Sequence, residues 1–166
     1  MEEVILVNEQ DEVTGYMEKM EAHRLGLLHR AFSILIFNTK GELLLQQRAL
    51  NKYHSPGLWT NTCCSHPRKG ESILAAAERR LMEEMGMSCQ LLVKGSFIYN
   101  AQLEGGLTEH ELDYILAGIT NDIPFINNDE VASYKYIDFN ELKTDIQINP
   151  SQYTYWLKEM LNRNFF

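Results

Sequence analysis

The chain has 166 residues, 45% of them hydrophobic, and a formal net charge of −8 at pH 7. This length supports one domain with a sizeable core, spanning residues 1–166, and is short for two domains. The negative charge disfavours nucleic acid and anionic lipid as partners over most of the surface. An anionic small-molecule substrate would therefore require a local group of cations or a metal ion.

The cysteines and the first residues bear on the cellular compartment. Three cysteines, an odd number, show no disulfide spacing. The start, MEEVILVNEQ, lacks the basic residues, the long apolar run and the cleavage site of a secretory signal. No window approaches the roughly 18 apolar residues that a membrane span needs. These features predict a soluble, cytoplasmic protein.

Two hairpins are predicted in the first half of the chain. Short apolar or alternating runs at 4–7 and 15–19 are separated by NEQDE, which indicates a small hairpin or a sheet edge. The β-rich runs AFSILIF and ELLLQQRAL lie on either side of a turn at 38–41, and this pattern predicts a buried hairpin.

The segment ESILAAAERRLMEEMG predicts the best-defined helix, which Ser72 can cap and Gly86 can close. Strand-like runs follow at QLLVKGSFIYNAQL, ELDYILAGIT and SYKYIDF. The tail PSQYTYWLKEML predicts a second helix, with an apolar set at Trp156, Leu157, Met160 and Leu161. Mixed strands with one central and one terminal helix predict an α/β sandwich around a mixed sheet.

Two cysteines are adjacent in the stretch WTNTCCSHP. Successive side chains of an extended strand point to opposite faces, so Cys64 and His66 would share one face while Cys63 points to the other. This alternation separates the two thiols, provided that the segment is extended.

A set of nitrogen and oxygen donors is spread along the chain. Glu109 and Glu111 are two apart at the start of a strand-like run, so both carboxylates should project to one side while His110 turns away. Imidazoles and carboxylates together suit Zn²⁺ or Mn²⁺. The candidate donors are His23, His29, His66, Glu109 and Glu111.

The segment 65–87 resembles the Nudix box, whose pattern is Gly, five residues, Glu, seven residues, Arg-Glu-aliphatic, one residue, Glu-Glu, one residue, Gly and an aliphatic. The matching residues are Glu71, Arg79, Glu83, Glu84 and Gly86. Ser65 stands where the pattern has its first Gly, and Arg80 stands where it has the Glu after Arg. Because a cation at that position removes a metal ligand and adds a phosphate-seeking group, the hydrolytic metal set of the box is altered.

Four further motifs extend the resemblance to nearly the whole chain. R-A-L-x-K, P-G-x-W-T-N, C-x-H-P and E-x-E occur in this order, and with the box they resemble the type 1 isopentenyl-diphosphate Δ-isomerases, which have the Nudix fold. The resemblance implies an α/β/α sandwich around a mixed sheet. It also implies that the protein interconverts isopentenyl and dimethylallyl diphosphate through a tertiary carbocation, as a step of isoprenoid biosynthesis. The protein would be a monomer or a weak homodimer.

The resemblance also implies roles for individual residues. One Mn²⁺ or Zn²⁺ would be bound by His23, His29, His66, Glu109 and Glu111. Mg²⁺, shared with the substrate diphosphate, would be bound by Glu84 and the backbone carbonyl of Cys64. The diphosphate would be contacted by Lys19, Arg48, Lys52 and Arg80. Glu111 with Tyr99 would deliver a proton and Cys64 as a thiolate would take one, although the direction of each transfer stays open.

Several of these residues have a simpler interpretation. Cys64 could be a small buried hydrophobic residue. Glu109 and Glu111 could form a solvated strand edge, and Arg80 and Glu84, four apart, could form an intrahelical ion pair. Two other functions also remain: a Nudix diphosphohydrolase acting on a nucleoside diphosphate derivative, and a non-catalytic module that binds a phosphorylated ligand.

Other positions depart from the family or match no role in it. His23 and His29 are six positions apart, where the family usually has seven. Cys63 and Cys89 are expected in the core. His54 and His110 are expected at the surface. The family usually has Pro-Trp near the C-terminus, with an indole that stabilises the carbocation, but here Ser151 follows Pro150. The aromatic face could come from Tyr153, Trp156 or Trp59, although Trp156 could equally be a core anchor.

Overall fold

The structure, a computed structural model, describes residues 2–163 and residue 165. Within this part of the chain, nine strands form one mixed sheet and four α-helices pack around it. The strands are β1 (Glu3–Val7), β2 (Val13–Glu18), β3 (His29–Phe37), β4 (Leu43–Arg48), β5 (Trp59–Thr60), β6 (Cys63–Ser65), β7 (Leu92–Gln102), β8 (Thr108–Ile119) and β9 (Val131–Ile137). The helices are α1 (Lys19–Leu25), α2 (Ile73–Met85), α3 (Phe139–Ile148) and α4 (Tyr155–Leu161).

Strand β3 lies at the centre of the sheet. It pairs antiparallel with β6 and parallel with β8, so that His29 lies opposite Glu111 at the edge where both strands begin. The predicted hairpin of β1 and β2 is confirmed. The hairpin of β3 and β4 forms only at its turn, where Phe37 is opposite Leu43, because β4 then pairs with β9 and β5 instead.

Both faces of the sheet are covered by helices. Ile34, Ile36 and Leu44 pack towards α2, whereas the alternate residues pack towards α3 and α4, and all are fully buried. These alternate residues are Leu35, Leu43 and Leu45. Burying one such side chain contributes about 1.5–3 kcal/mol. The resulting α/β/α sandwich confirms the predicted fold class.

Helix α2 begins and ends where the sequence predicts. The Ser72 hydroxyl accepts a hydrogen bond from the Ala75 amide at 3.2 Å. Gly86 ends the helix with φ of 61°, and a Cβ there would lie 2.5 Å from the Phe125 carbonyl oxygen. Because glycine alone avoids this clash at a left-handed position, the turn after α2 is fixed by Gly86.

Helices α1 and α3 were not predicted. Each is capped by a carboxylate: Glu18 accepts from the amides of Met20 and Glu21, and Asp138 accepts from those of Asn140 and Glu141. Helix α1 has only seven residues, which is too short for a clear helical repeat. Among the described residues, no helix combines the length and the apolar character needed to cross a bilayer.

Candidate active site

Four potential metal-ligand side chains meet at the edge where β3 and β8 begin. One donor atom from each of His23, His29, His66 and Glu111 lies within 4.8 Å of the others, and all four side chains are buried. His23 comes from α1, His29 from β3, His66 directly follows β6 and Glu111 lies in β8. The predicted donors are thus brought together from segments far apart in sequence.

The backbone orients two of these imidazoles. His23 Nδ1 lies 2.7 Å from the Lys19 carbonyl oxygen, and His29 Nδ1 lies 2.8 Å from that of Leu27. Their Nε2 atoms are buried without a hydrogen-bond partner. Burial also lowers the pKa of His66, which favours the neutral form that a metal requires. A donor set of this kind, with unpartnered nitrogens facing inward, fits Zn²⁺ or Mn²⁺.

The two oxygens of Glu111 have different partners. Oε1 lies 2.8 Å from His66 Nε2 and 3.5 Å from His29 Nε2, whereas Oε2 accepts a hydrogen bond from the Tyr99 hydroxyl at 2.7 Å. Burial raises the pKa of Glu111, but the neighbouring imidazoles of His29 and His66 outweigh it and hold that pKa well below its usual range. Burial and the nearby Glu111 raise the pKa of Tyr99. The pair is therefore an ionised carboxylate beside a neutral phenol.

Glu109 lies beside this group and has an unexpected partner. Its Oε2 is 3.4 Å from His23 Nε2, and its Oε1 is 2.7 Å from His54 Nε2. Together these three residues form a second cluster of potential metal ligands, which shares His23 with the first. The expected exposure of His54 was wrong, since only 4% of the residue is exposed. The segment after β4 folds back over Glu109, and nothing in the sequence of that loop indicated this.

Residues that alternate with the site residues point elsewhere. His110 turns away from Glu109 and Glu111 as predicted, and its Nδ1 lies 2.9 Å from the Gly26 carbonyl oxygen. It is half-buried by this contact, so its expected exposure was also wrong. Cys89, expected in the core, is only half-buried at the margin of the cluster packed against α2.

The two adjacent cysteines lie on opposite faces of the sheet. The segment is extended, because Cys63 and Cys64 pair in register with Ile34 and Ser33 of β3. Cys63 packs in the core beneath α2, whereas Cys64 lines a cavity together with His66 and Glu111. Burial raises the pKa of the Cys64 thiol, although the guanidinium of Arg48 partly opposes this effect. The neutral thiol is the form favoured in the ligand-free chain.

The predicted cations line an adjacent cavity, which shares Cys64 and His66 with the first. They are Lys19, Arg48, Lys52 and Arg80, and Glu84 lies among them. Carboxylates pair with three of the four: Lys19 contacts Glu2 at 2.6 Å, Lys52 contacts Glu130, and Arg80 contacts Glu84 at 2.5 Å. Arg48 instead donates to the His54 carbonyl oxygen at 3.0 Å. No local sequence pattern indicates that Glu2 and Glu130 belong to this cluster.

Trp156 supplies an aromatic wall to the cavity of Cys64. Its ring centre lies 5.3 Å from the Arg48 guanidinium and 5.6 Å from the His54 ring. The other two aromatic candidates lie elsewhere, because the Tyr153 hydroxyl donates to Asp145 and the Trp59 ring contacts Lys135. Thr154 connects α4 to the sheet by two hydrogen bonds. Its hydroxyl donates to the Thr60 hydroxyl at 2.8 Å, and its amide donates to the Trp59 carbonyl oxygen at 3.0 Å.

The chain resembles known proteins over most of its length. A model described as NUDIX domain matches residues 27–157. A relative from Pectobacterium atrosepticum, named isopentenyl-diphosphate Delta-isomerase, is 53% identical over 94% of this chain and 87% of its own. A relative from Aromatoleum aromaticum, named isopentenyl-diphosphate Delta-isomerase 2, is 47% identical over 98% of this chain and 86% of its own.

Solved structures resemble the fold. DR0079 from Deinococcus radiodurans has a TM-score of 0.83 over 98% of both chains, at 20% sequence identity. A MutT protein from Methanosarcina mazei has a TM-score of 0.67 over 82% of this chain and 91% of its own, at 19% identity. At these identities the likeness concerns the fold alone. Because of the domain match and the two curated relatives, the chain belongs to the NUDIX domain family and, within it, to the isopentenyl-diphosphate Delta-isomerases.

Proposed function

We propose that this chain interconverts isopentenyl diphosphate and dimethylallyl diphosphate. The observation that carries this activity is that Cys64, Glu111 and Tyr99 line one cavity, beside a second cavity lined by four cations. A hydrolase of the same fold would not need Cys64 and Glu111 as proton-transfer groups. The names of the curated relatives support the same activity.

The reaction requires two proton transfers and a dry pocket. One proton is added to the terminal alkene carbon, giving a tertiary carbocation, and one is removed from C2, so the product is an isomer and no proton is consumed. Such a cation needs an acid, a base and the exclusion of water. We assign delivery of the proton to the alkene carbon to Glu111 with Tyr99. We assign removal of the proton from C2 to Cys64.

The protonation states of the ligand-free chain bear on this assignment. The raised pKa of Cys64 keeps a proton on the thiol, whereas Glu111 is ionised. Before the alkene of isopentenyl diphosphate is protonated, Glu111 must therefore gain a proton and Cys64 must lose one. Arg48 is the nearby cation that favours the thiolate. Because the interconversion runs both ways, the group that accepts a proton in one direction donates it in the other.

One Mn²⁺ or Zn²⁺ would be held by the predicted donors His23, His29, His66, Glu109 and Glu111. When bound, such an ion supplies a fixed positive charge beside the reacting groups. The chain itself contributes buried imidazoles whose Nε2 atoms face inward and a Tyr99 hydroxyl that binds the far oxygen of Glu111. These contacts leave Glu111 with one oxygen for the ion and one for the proton.

The substrate diphosphate would bind in the cavity of the four cations. Glu84 and the Cys64 backbone carbonyl would hold Mg²⁺ there, which is commonly shared between a carboxylate and phosphate oxygens. Lys19 and Lys52 would have to leave Glu2 and Glu130 to contact the diphosphate. Arg80 can keep its contact with Glu84, so the ion-pair and phosphate-binding interpretations of Arg80 are compatible.

Trp156 would stabilise the carbocation through its indole face. A cation over an aromatic ring gains about 0.5–2 kcal/mol, more where water is excluded. The ring lines the cavity of Cys64 and is 3% exposed, so it serves the site and the core at once. It would thus replace the indole that the family usually carries directly after proline.

The remaining expectations belong to the same proposal. The chain would work as a single domain, as a monomer or weak homodimer, in the cytoplasm. A small-molecule isoprenoid diphosphate would be its ligand, and nucleic acid and membranes would not be its partners.

Proton NMR of the full chain, supplied with Mg²⁺ and with Mn²⁺ or Zn²⁺, tests the activity. Signals of dimethylallyl diphosphate should replace those of isopentenyl diphosphate, and phosphorus NMR should detect no free phosphate. Release of phosphate from a nucleoside diphosphate derivative, without isomerisation, would support the diphosphohydrolase instead. Binding of isopentenyl diphosphate without any turnover would support the binding module.

A further inference from the structure

His54 is a buried histidine of the site that none of the predicted roles uses. Its Nε2 lies 2.7 Å from Glu109 Oε1, and its Nδ1 is buried without a hydrogen-bond partner. The ring packs edge-on against Trp156 at 5.6 Å and against Tyr53 at 4.3 Å. A histidine held in this way beside a potential metal ligand either binds a metal or orients the ligand.

A second metal ion at this position is disfavoured by the nitrogens of His23. The cluster of His54 and Glu109 is completed by His23, which also belongs to the four-residue group. His23 Nδ1 is occupied by the Lys19 carbonyl oxygen, so only Nε2 is available as a ligand. One nitrogen serves one ion, and a second ion would keep only two protein ligands.

The 2.7 Å contact with Glu109 instead has the length of a hydrogen bond. Because His54 Nδ1 lacks a partner and Nε2 faces a carboxylate, the ring hydrogen belongs on Nε2. Donation to Oε1 leaves Glu109 Oε2 facing His23 Nε2, at 3.4 Å and without another partner. Tyr99 does the same for Glu111, since it binds Oε2 and leaves Oε1 beside His66. Each glutamate thus has one oxygen beside a hydrogen-bond donor outside the four-residue group and one turned towards the histidines of that group.

We propose that His54 is a positioning residue that donates from Nε2 to Glu109 Oε1 and turns Oε2 towards the metal-ligand group. Its backbone carbonyl accepts from Arg48, whose guanidinium stacks on Trp156. The same residue therefore connects the carboxylate of the metal site to a cation of the diphosphate site. This role rests on the proposed function, because it requires that an ion bind to the group.

Metal titration of three variants of the full chain tests this role. The metal-free proteins are titrated with Zn²⁺ against a competing chelator. His54→Phe keeps a ring against Trp156 but removes the donor, and it should weaken binding by about 10- to 100-fold. His54→Gln places an amide donor near the position of Nε2 and should retain most of the affinity. His110→Gln, the matched control, should bind as the wild type does.

Two results would overturn the role of His54 alone. One is a wild-type affinity for Zn²⁺ in His54→Phe. The other is a loss of affinity in His54→Gln as large as that in His54→Phe, which would indicate that His54 binds the metal directly. A wild type that binds neither Zn²⁺ nor Mn²⁺ would overturn the proposed metal site as well. Should the Phe variant not fold, ¹⁵N NMR of the histidines in the Zn²⁺-loaded wild type decides. His54 Nε2 should then carry a hydrogen, and a metal-bound Nε2 would contradict the proposal.

Discussion

Glu109 and Glu111 of β8 differ in the group that contacts the carboxylate oxygen turned away from the metal-ligand histidines. Glu111 receives a hydrogen bond from a phenol, whereas Glu109 contacts an imidazole. A phenol can pass a proton along its hydrogen bond, which suits Glu111 for proton transfer. Glu109 instead contacts the imidazoles of His54 and His23, so its function is more consistent with binding and charge.

Tyr99→Phe should lower kcat while leaving the fold intact. The substitution removes only the hydroxyl that donates to Glu111 Oε2, and the ring still packs in the core towards α4. Since a general acid contributes about 10²- to 10⁴-fold, loss of its assisting group should cost at least about tenfold. Steady-state kinetics measures the effect, with KM expected to change little. An unchanged kcat would remove Tyr99 from the proposed chemistry.

At the residue scale, strand alternation predicted which side chains share a face, but contacts across the chain were not predictable. The alternation separated Cys64 from Cys63, and it placed Glu109 and Glu111 on one side, because these segments are extended. His54 was misjudged because its burial depends on a loop that folds over β8. Glu2 and Glu130 contact the cations only through tertiary packing, which no local pattern records.

At the scale of elements, α2 is held at its start by an ion pair across the turn. Arg79 binds both oxygens of Glu71, with its Nε 2.7 Å from Oε1 and its Nη2 2.9 Å from Oε2. The Arg68 amide donates to the same Oε2 at 2.9 Å. These contacts fix the segment that leads from His66 into the helix, and so they connect the Nudix box to the site.

Glu71→Gln should make stability less dependent on pH. The hydrogen bond from Arg79 lowers the pKa of Glu71, so the ionised form stabilises the fold above its unfolded pKa of about 4.3. This contribution is lost as pH falls through the lower, folded pKa. At pH 7 the variant should lose about 1 kcal/mol, and the difference should shrink below about pH 4.

Urea unfolding at pH 7, 5 and 3 measures this difference. Glu78→Gln is the control, because Glu78 is an exposed residue of the same helix. It should leave stability within about 0.5 kcal/mol of the wild type at each pH. A constant difference between Glu71→Gln and the wild type would contradict the ionic explanation.

The elements differ in how far the sequence predicted them. Helix α2 has a cap, a closing glycine and 13 residues, so its signals agree. Helix α1 has only its Glu18 cap, yet it places His23 in the site. The divergence of β3 and β4 depends on which strands arrive later in the chain, and a local pattern cannot report that.

At the scale of the whole molecule, the site joins segments that are otherwise distant. Its potential ligands come from α1, β3, the end of β6 and β8, so bound metal would hold the N-terminal and C-terminal parts of the sheet together. The sandwich itself was predictable because its strands and helices have clear apolar patterns. The convergence of the ligands followed from the family resemblance and not from those patterns.

Removal of metal should lower the melting temperature. A ligand that binds only the folded state stabilises it by about 2.7 kcal/mol at a free concentration of ~100 Kd. Calorimetry of the chelator-treated chain, with Zn²⁺ or Mn²⁺ then added back, measures the shift. His66→Ala should lose most of it, whereas His110→Gln should retain it. If neither Zn²⁺ nor Mn²⁺ changes the melting temperature of the wild type, the proposed metal site is contradicted.

The central claim is that Cys64, and not its neighbour Cys63, transfers a proton to or from the substrate. Deuterium incorporation from D₂O into isopentenyl and dimethylallyl diphosphate tests it most directly, in wild type, Cys64→Ala and Cys63→Ala. The wild type and Cys63→Ala should both incorporate deuterium without releasing phosphate, and Cys64→Ala should be slower by at least about 10²-fold. Incorporation by Cys64→Ala at the wild-type rate would contradict the account.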